Sequence, residues 1–208
     1  MILWLIAALA LAAVGAFLAA KETKLSFWWL LPANAAVWIV CLLTHRTVPV
    51  TAFLLSAGED LIFCAAVHDA RTKRIPNLFL ILLAVLAAAM LLIDTEVPWT
   101  LRVIGSGIGY LPLFLLRLCG EKLTKHEVIG EGDALLSAIL GLLLGLQNYL
   151  FCAVVACLVA LVAIRVLRFR KKYDKTRTYA FSPFFFVGYT VAALFGSLLF
   201  SSFYTLFY

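Results

Sequence analysis

Residues 149–167 read YLFCAVVACLVALVAIRVL, and the first charge among them is Arg165. A helix needs about 20 apolar residues to cross a bilayer, and this run has that length and character. It does not alternate apolar with polar positions, as a membrane β-strand must. Just before it lies ALLSAILGLLLGL, residues 134–146, with only Gln147 and Asn148 between the two runs. So short a connection predicts a tight hairpin, with the two helices as antiparallel neighbours. The 134–146 run is short for a span, so its helix starts earlier or stops short of one surface. Working outward, apolar runs recur at 1–20, 25–43, 48–68, 78–93, 101–118 and 183–206, each divided from the next by charge, Pro, Asn or Gly. The expected fold is all-α: a polytopic membrane protein of eight transmembrane helices, two in residues 1–47 and six in residues 48–208.

Composition agrees. Of 208 residues, 65% are hydrophobic and only 13% charged, with a mean hydropathy of +1.07. A soluble domain is roughly 45–50% apolar and about 25% charged. This chain has too much apolar surface to hide from water, which excludes an ordinary soluble domain, a disordered chain and a nucleic-acid binder. The lipid bilayer is the partner this composition implies. Cys41, Cys64, Cys119, Cys152 and Cys157 form no CxxC pair, and four of them sit inside apolar runs as small hydrophobes. The 1–20 run lacks the positive start of a signal peptide, because its first cation is Lys21, so it reads as a retained span.

The net charge of +6 is an orientation signal. If the connections at 21–24, 69–77, 117–132 and 165–182 are cytoplasmic, 15 of the 17 Lys and Arg residues lie there, and only Arg46 and Arg102 lie outside. Both termini are then external. The Arg165–Arg177 cluster is an anchor for anionic lipid.

Eleven acids remain to be placed. Glu22, Asp94, Glu96 and Asp174 fall in loops and read as solvated. Glu121 and Glu127 sit among Lys122, Lys125 and His126 and read as ordinary ion pairs. Asp69 closes the third span in the run His68-Asp69-Ala70-Arg71-Thr72-Lys73-Arg74-Ile75-Pro76-Asn77. By itself it reads as a boundary carboxylate paired with Arg71, Lys73 or Arg74, with Pro76-Asn77 as the turn that starts the next helix. Asp133 ends the run Gly130-Glu131-Gly132-Asp133 and reads as the N-cap of the sixth span. The two glycines permit positive φ and close approach by another chain. The assigned topology puts Asp69 and Asp133 at the same cytoplasmic boundary on different helices. Two such carboxylates can share one proton, so that one activates water while the other polarises a carbonyl. That chemistry needs no metal or cofactor, and no cluster of metal ligands is apparent.

Gly130-x-Gly132-Asp133 matches the GxGD signature of the intramembrane aspartyl proteases. Asp69, followed by Arg71, Arg74 and Ile75-Pro76-Asn77, resembles the first catalytic element of the prepilin peptidases, or type IV leader peptidases, a branch that includes the preflagellin peptidases. Presenilin-type proteases set their other aspartate in a different motif. Phe181-Ser182-Pro183-Phe184 is similar to a weaker proline-containing motif near the C-terminus of that branch. The resemblance runs from about residue 50 onward. It implies a six-helix GxGD protease core in 48–208, with Asp69 and Asp133 catalytic and Gly130, Gly132, Pro76, Asn77 and Pro183 in support. It also implies an aspartic-type endopeptidase that removes the basic leader of a pilin, pseudopilin or Flp-type precursor, just before a hydrophobic helix, at the cytoplasmic face of the cell membrane. Larger members carry a zinc-binding segment with two CxxC pairs between their first two helices, associated with N-methylation. Here that connection is Lys21-Glu22-Thr23-Lys24, so a short form without methyltransferase activity is expected.

Glu59 and Asp60 lie inside the third span and match no catalytic position. Asp60 is nine residues from Asp69 and so points about 180° away unless the helix breaks near Gly58. A hydrogen bond to a neighbouring helix accounts for such a residue. The rival is a small transporter or ion channel that uses Glu59 and Asp60 as an ion path, which predicts charges at the midplane and internal repeats, and no repeat is found. A non-catalytic assembly scaffold is disfavoured by the retention of both aspartates and both glycines. Glu131 supports at most, His68 cannot face Asp69 from the adjacent position, and Pro32 with Asn34 kinks the second span.

Overall fold

Apolar runs in a membrane bury their backbone polar groups by closing every hydrogen bond within the segment, and helices do this without partners. The computed structural model describes Ile39 and residues 49–124, 130–169 and 180–207, and these contain six α-helices and no strand. They are α1 (Pro49–Thr72), α2 (Asn77–Ile93), α3 (Trp99–Thr124), α4 (Glu131–Leu144), α5 (Leu146–Phe169) and α6 (Ser182–Phe207). Each answers to one apolar run from 48 onward. Val50–Thr72, Trp99–Lys122 and Leu146–Phe169 are long and apolar enough to cross a membrane, while Asn77–Ile93 and Ser182–Gly196 are apolar but shorter. The spans expected at 1–20 and 25–43, the Pro32/Asn34 kink and the basic residues 170–177 lie outside the described residues, Ile39 apart.

The bundle is built around α4, which touches α2, α3, α5 and α6. Leu136, Leu140 and Leu143 of α4 are completely buried, as are Ile62 of α1, Leu83 of α2, Cys152 of α5 and Tyr189 of α6. By contrast α3 and α5 turn Leu111, Leu115, Val154 and Leu158 outward, where lipid is the compatible solvent.

Small residues set the closest approach. A Cβ built on Gly141 would strike the carbonyl of Gly105, and one built on Gly109 would lie 2.5 Å from the Ser137 carbonyl. Gly105 and Gly109 on α3 therefore face Ser137 and Gly141 on α4 at matching four-residue spacing, the small-xxx-small contact of membrane helices. The Ser137 hydroxyl donates to the Gly109 carbonyl at 2.9 Å and lies 2.6 Å from the Tyr149 hydroxyl, which ties α5 to the same point.

Two local expectations are corrected and one holds. The chain reverses between α4 and α5 at Gly145, whose φ is +76°, so Gln147 and Asn148 fall inside the first turn of α5 instead of forming the hairpin. A side chain at Gly145 would be strained by that φ and would also meet Val97 at 2.9 Å. α1 runs unbroken through Gly58. Asp94 is buried, not solvated, and forms an ion pair with Arg102, itself 1% exposed. Arg102 also donates to the carbonyls of Leu142 (3.1 Å) and Leu143 (2.5 Å), the orphan acceptors at the end of α4. A loop carboxylate is drawn inside because it is the counter-charge of that buried guanidinium.

Removing one partner of a buried ion pair strands the other. Asp94→Ala should lower the unfolding free energy by about 3–5 kcal/mol. Asp94→Leu combined with Arg102→Leu should recover part of that loss, as read from thermal unfolding in detergent.

Candidate active site

At the opposite end of α4 from Arg102, two connections meet. α1 ends at Thr72, and Lys73 takes φ +59° while its N–H donates to the Asp69 carbonyl at 2.8 Å. The turn is latched by side chains. The Thr72 hydroxyl donates to the His68 carbonyl at 2.9 Å and lies 3.1 Å from the Arg74 carbonyl, and His68 Nδ1 is 3.1 Å from that same carbonyl. His68 thus secures the turn and does not face Asp69. Pro76 then occupies the N-cap of α2 in extended geometry, and Asn77 opens that helix.

The second connection is Gly-x-Gly-Asp itself. Gly130, with φ −67°, takes the N-cap of α4, and the helix starts at Glu131. Asp133 is therefore the third helical residue, not the cap, and the Asp133 N–H donates to the Gly130 carbonyl at 3.2 Å. The positive φ anticipated for Gly130 and Gly132 does not occur. Gly132 is needed for closeness: a Cβ there would lie 3.3 Å from the Ile75 Cβ, so the turn after α1 packs directly on the motif.

Asp69 and Asp133 line one cavity of about 720 Å³, together with Lys73, Arg74, Asn77, Gly130 and Glu131. Its apolar wall is formed by Ile75, Leu80, Ile81 and Leu135, of which Ile81 and Leu135 are exposed on the outside of the bundle. Pro76 flanks the cavity in sequence, and Pro183 follows the residue that touches Asp69.

Asp69 is only 4% exposed. Lys73, Arg71 and Arg74 are exposed, and the hydrogen bond to the Asp69 carboxylate comes instead from the Ser182 hydroxyl, 2.5 Å from Oδ2. The contact of Ser182 with Asp69 is not predicted from the sequence, although Ser182 lies within the Phe181-Ser182-Pro183-Phe184 run. Asp133 stands in the first turn of α4, just outside the apolar run 134–146. Its Oδ1 is buried with no hydrogen-bond partner among the described residues. Two carboxylates that line one cavity from different helices are suited to acid–base work on a water.

Glu131 is 3.1 Å from Arg117, which also holds Glu121 at 2.9 Å. Glu121 therefore pairs one turn back along α3. Glu127, Lys125 and His126 lie outside the described residues. Arg117 precedes the end of α3 by seven residues, so the start of α4 is recessed by about 10 Å beside it. Glu59 is away from the cavity: it is buried, with Oε1 accepting from the Thr190 hydroxyl at 3.0 Å, a link between α1 and α6.

The model of the type IV leader peptidase family matches residues 61–164, a stretch that contains Asp69 and Asp133. Two curated relatives are called prepilin leader peptidase/N-methyltransferase. The one from Dickeya chrysanthemi is 33% identical over 118 residues, 57% of this chain and 42% of the relative. The one from Pectobacterium carotovorum subsp. carotovorum is 33% identical over 122 residues, 59% of this chain and 44% of the relative. The chain thus spans less than half the length of either. No solved structure matches.

One outcome follows from the geometry. At Gly130 a Cβ meets only Asp133 Oδ2 at 3.6 Å, so Gly130→Ala should melt near the parent protein while Gly132→Val melts well below it.

Proposed function

As the chain belongs to the type IV leader peptidase family, we propose that it removes the leader peptide from prepilin-like precursors as a membrane aspartic endopeptidase. The observation that carries this reading is the convergence of Asp69 and Asp133 on one cavity from two different helices. The precursor would be a pilin, pseudopilin or Flp-type protein whose hydrophobic N-terminal helix lies in the bilayer. Ile81 and Leu135, exposed on the bundle and on the cavity wall, give that helix an apolar surface leading to the aspartates.

In this mechanism the ionised carboxylate takes a proton from water as the water oxygen bonds to the scissile carbonyl carbon. The protonated partner gives its proton to the carbonyl oxygen. Collapse of the tetrahedral species breaks the C–N bond as one of its hydroxyls returns a proton to the acid aspartate, and the proton taken from water passes to the leaving amine. Asp69 is suited to the base because its buried carboxylate is already held by a donor. Asp133 is suited to the acid because its Oδ1 is buried and meets no donor among the described residues. The concentration of 15 of the 17 Lys and Arg residues in connections on one side of the spans supports a cytoplasmic active site, external termini and an inner-membrane location, with eight spans in all. The 21–24 connection supports a peptidase without the zinc-binding methyltransferase segment.

Co-expression with a prepilin-like precursor tests the reading through the gel shift on leader removal. Asp69→Asn and Asp133→Asn should each reduce cleavage by at least about 100-fold while the chain still inserts into the membrane. Normal cleavage by either variant overturns the two-aspartate assignment.

A further inference from the structure

We propose that Ser182 is a positioning residue for this reaction, its hydroxyl holding one oxygen of Asp69 so that the other is presented to the attacking water. The inference rests on the two-aspartate reading and extends it to a third residue, contributed by the last helix.

Three observations carry it. First, the contact is short and sealed. Ser182 Oγ lies 2.5 Å from Asp69 Oδ2, Ser182 is 0% exposed and Asp69 is 4% exposed. A buried hydroxyl must find a partner, and a hydrogen bond to an ionised acceptor is stronger than a neutral one.

Second, the hydroxyl is free for this task. A serine at a helix start ordinarily caps its own helix. Here Phe181 takes the cap position: its carbonyl accepts from the N–H groups of Phe184 (3.0 Å) and Phe185 (3.4 Å). Pro183 brings no N–H to compete. Ser182 therefore points its polar group across to α1 at the positive end of α6, where an anion is favoured.

Third, the mount is closely packed. The Phe181 ring packs edge-on against Phe185 at 4.9 Å and against Phe184 at 5.7 Å. Deeper in the same interface the Tyr189 hydroxyl donates to the Leu55 carbonyl at 2.8 Å, which sets the register of α6 on α1.

The charged groups around the cavity are Lys73, Arg74, Glu131 and Asp133. Lys73 and Arg74 are exposed, long and flexible, unlike the buried hydroxyl. Ser182 does not line the cavity, so it acts through Asp69 and keeps its own proton throughout. A carboxylate held at one oxygen loses the freedom to turn away from the water, and small misplacements of a reacting group cost about 100-fold in rate.

The test compares the full-length chain in detergent or vesicles with Ser182→Ala, Ser182→Thr and Ser182→Val, following cleavage of a purified prepilin-like precursor. Ser182→Ala should lower kcat by roughly 10- to 100-fold with KM nearly unchanged. Ser182→Thr, which keeps the hydroxyl, should return most of the rate. Wild-type kcat in Ser182→Ala, or a loss confined to KM, overturns the proposal. Should Ser182→Ala fail to fold, the isosteric Thr and Val variants decide: a fast Thr and a slow Val support the clamp, and equal rates overturn it. Asp69→Asn run alongside separates the two levels. If it cleaves normally, the two-aspartate reading fails. If it is inactive while Ser182→Ala is normal, only the role of Ser182 fails.

Discussion

The close approach of α3 to α4 is the constraint from which the rest of the bundle takes its place. Gly105 and Gly109 admit the backbone of α4 at Gly141 and Ser137, with only the Ser137 hydroxyl reaching across to the Gly109 carbonyl. In a bilayer there is no water to expel between helices, so association depends on such packing and on hydrogen bonds across it. With α4 seated there, its buried leucines meet α2, α5 and α6, and its two ends are fixed relative to everything else. A bulkier residue at Gly141 would displace the axis that carries Asp133.

The two ends of α4 are treated differently. At the C-terminal end Arg102 caps the carbonyls of Leu142 and Leu143 and is neutralised by Asp94, with only its Nε left without a partner among the described residues. At the N-terminal end the glycine motif leaves room, a cavity opens, and Asp133 carries a buried oxygen that no described residue satisfies. An unsatisfied buried carboxyl is costly to stability, and such costs concentrate where chemistry is done. Along the α1–α6 interface, Leu55 with Tyr189, Glu59 with Thr190 and Asp69 with Ser182 form successive polar links. The second gives one Glu59 oxygen a donor across the interface, while the other oxygen is buried with no partner among the described residues. The third reaches the proposed catalytic pair.

What could be read in advance followed the periodicity and length of apolar runs. Helices α1 to α6 begin and end within a few residues of the runs at 48–68, 78–93, 101–118, 134–146, 149–167 and 183–206. The overshoot of α3 to Thr124 arises because a helix continues through Arg117 and Glu121 once they pair at four-residue spacing. The Gly-x-Gly-Asp run and the residues after Asp69 likewise pointed to one place. Asp94 was misread because its partner is eight residues away on the next helix and buries it. Asp133 was misread as a cap because Gly130 can itself take the cap geometry. The small-xxx-small spacing at 105/109 and 137/141 was present in the chain, but the partner helix of each stripe was not.

The amino-acid sequence by itself determined the helical class, the membrane as solvent, the approximate limits of the helices from residue 48 onward and the candidacy of two aspartates among eleven acids. These are local or compositional properties, governed by backbone hydrogen bonding and by the transfer of side chains into lipid. Only the tertiary structure decided which buried groups meet: Asp94 with Arg102, Ile75 with Gly132, and Ser182 with Asp69 across 113 residues of chain. Those pairings depend on helix register and crossing, which are set jointly by many weak contacts. No single segment encodes them, so the serine beside Asp69 becomes visible only when α6 is packed against α1.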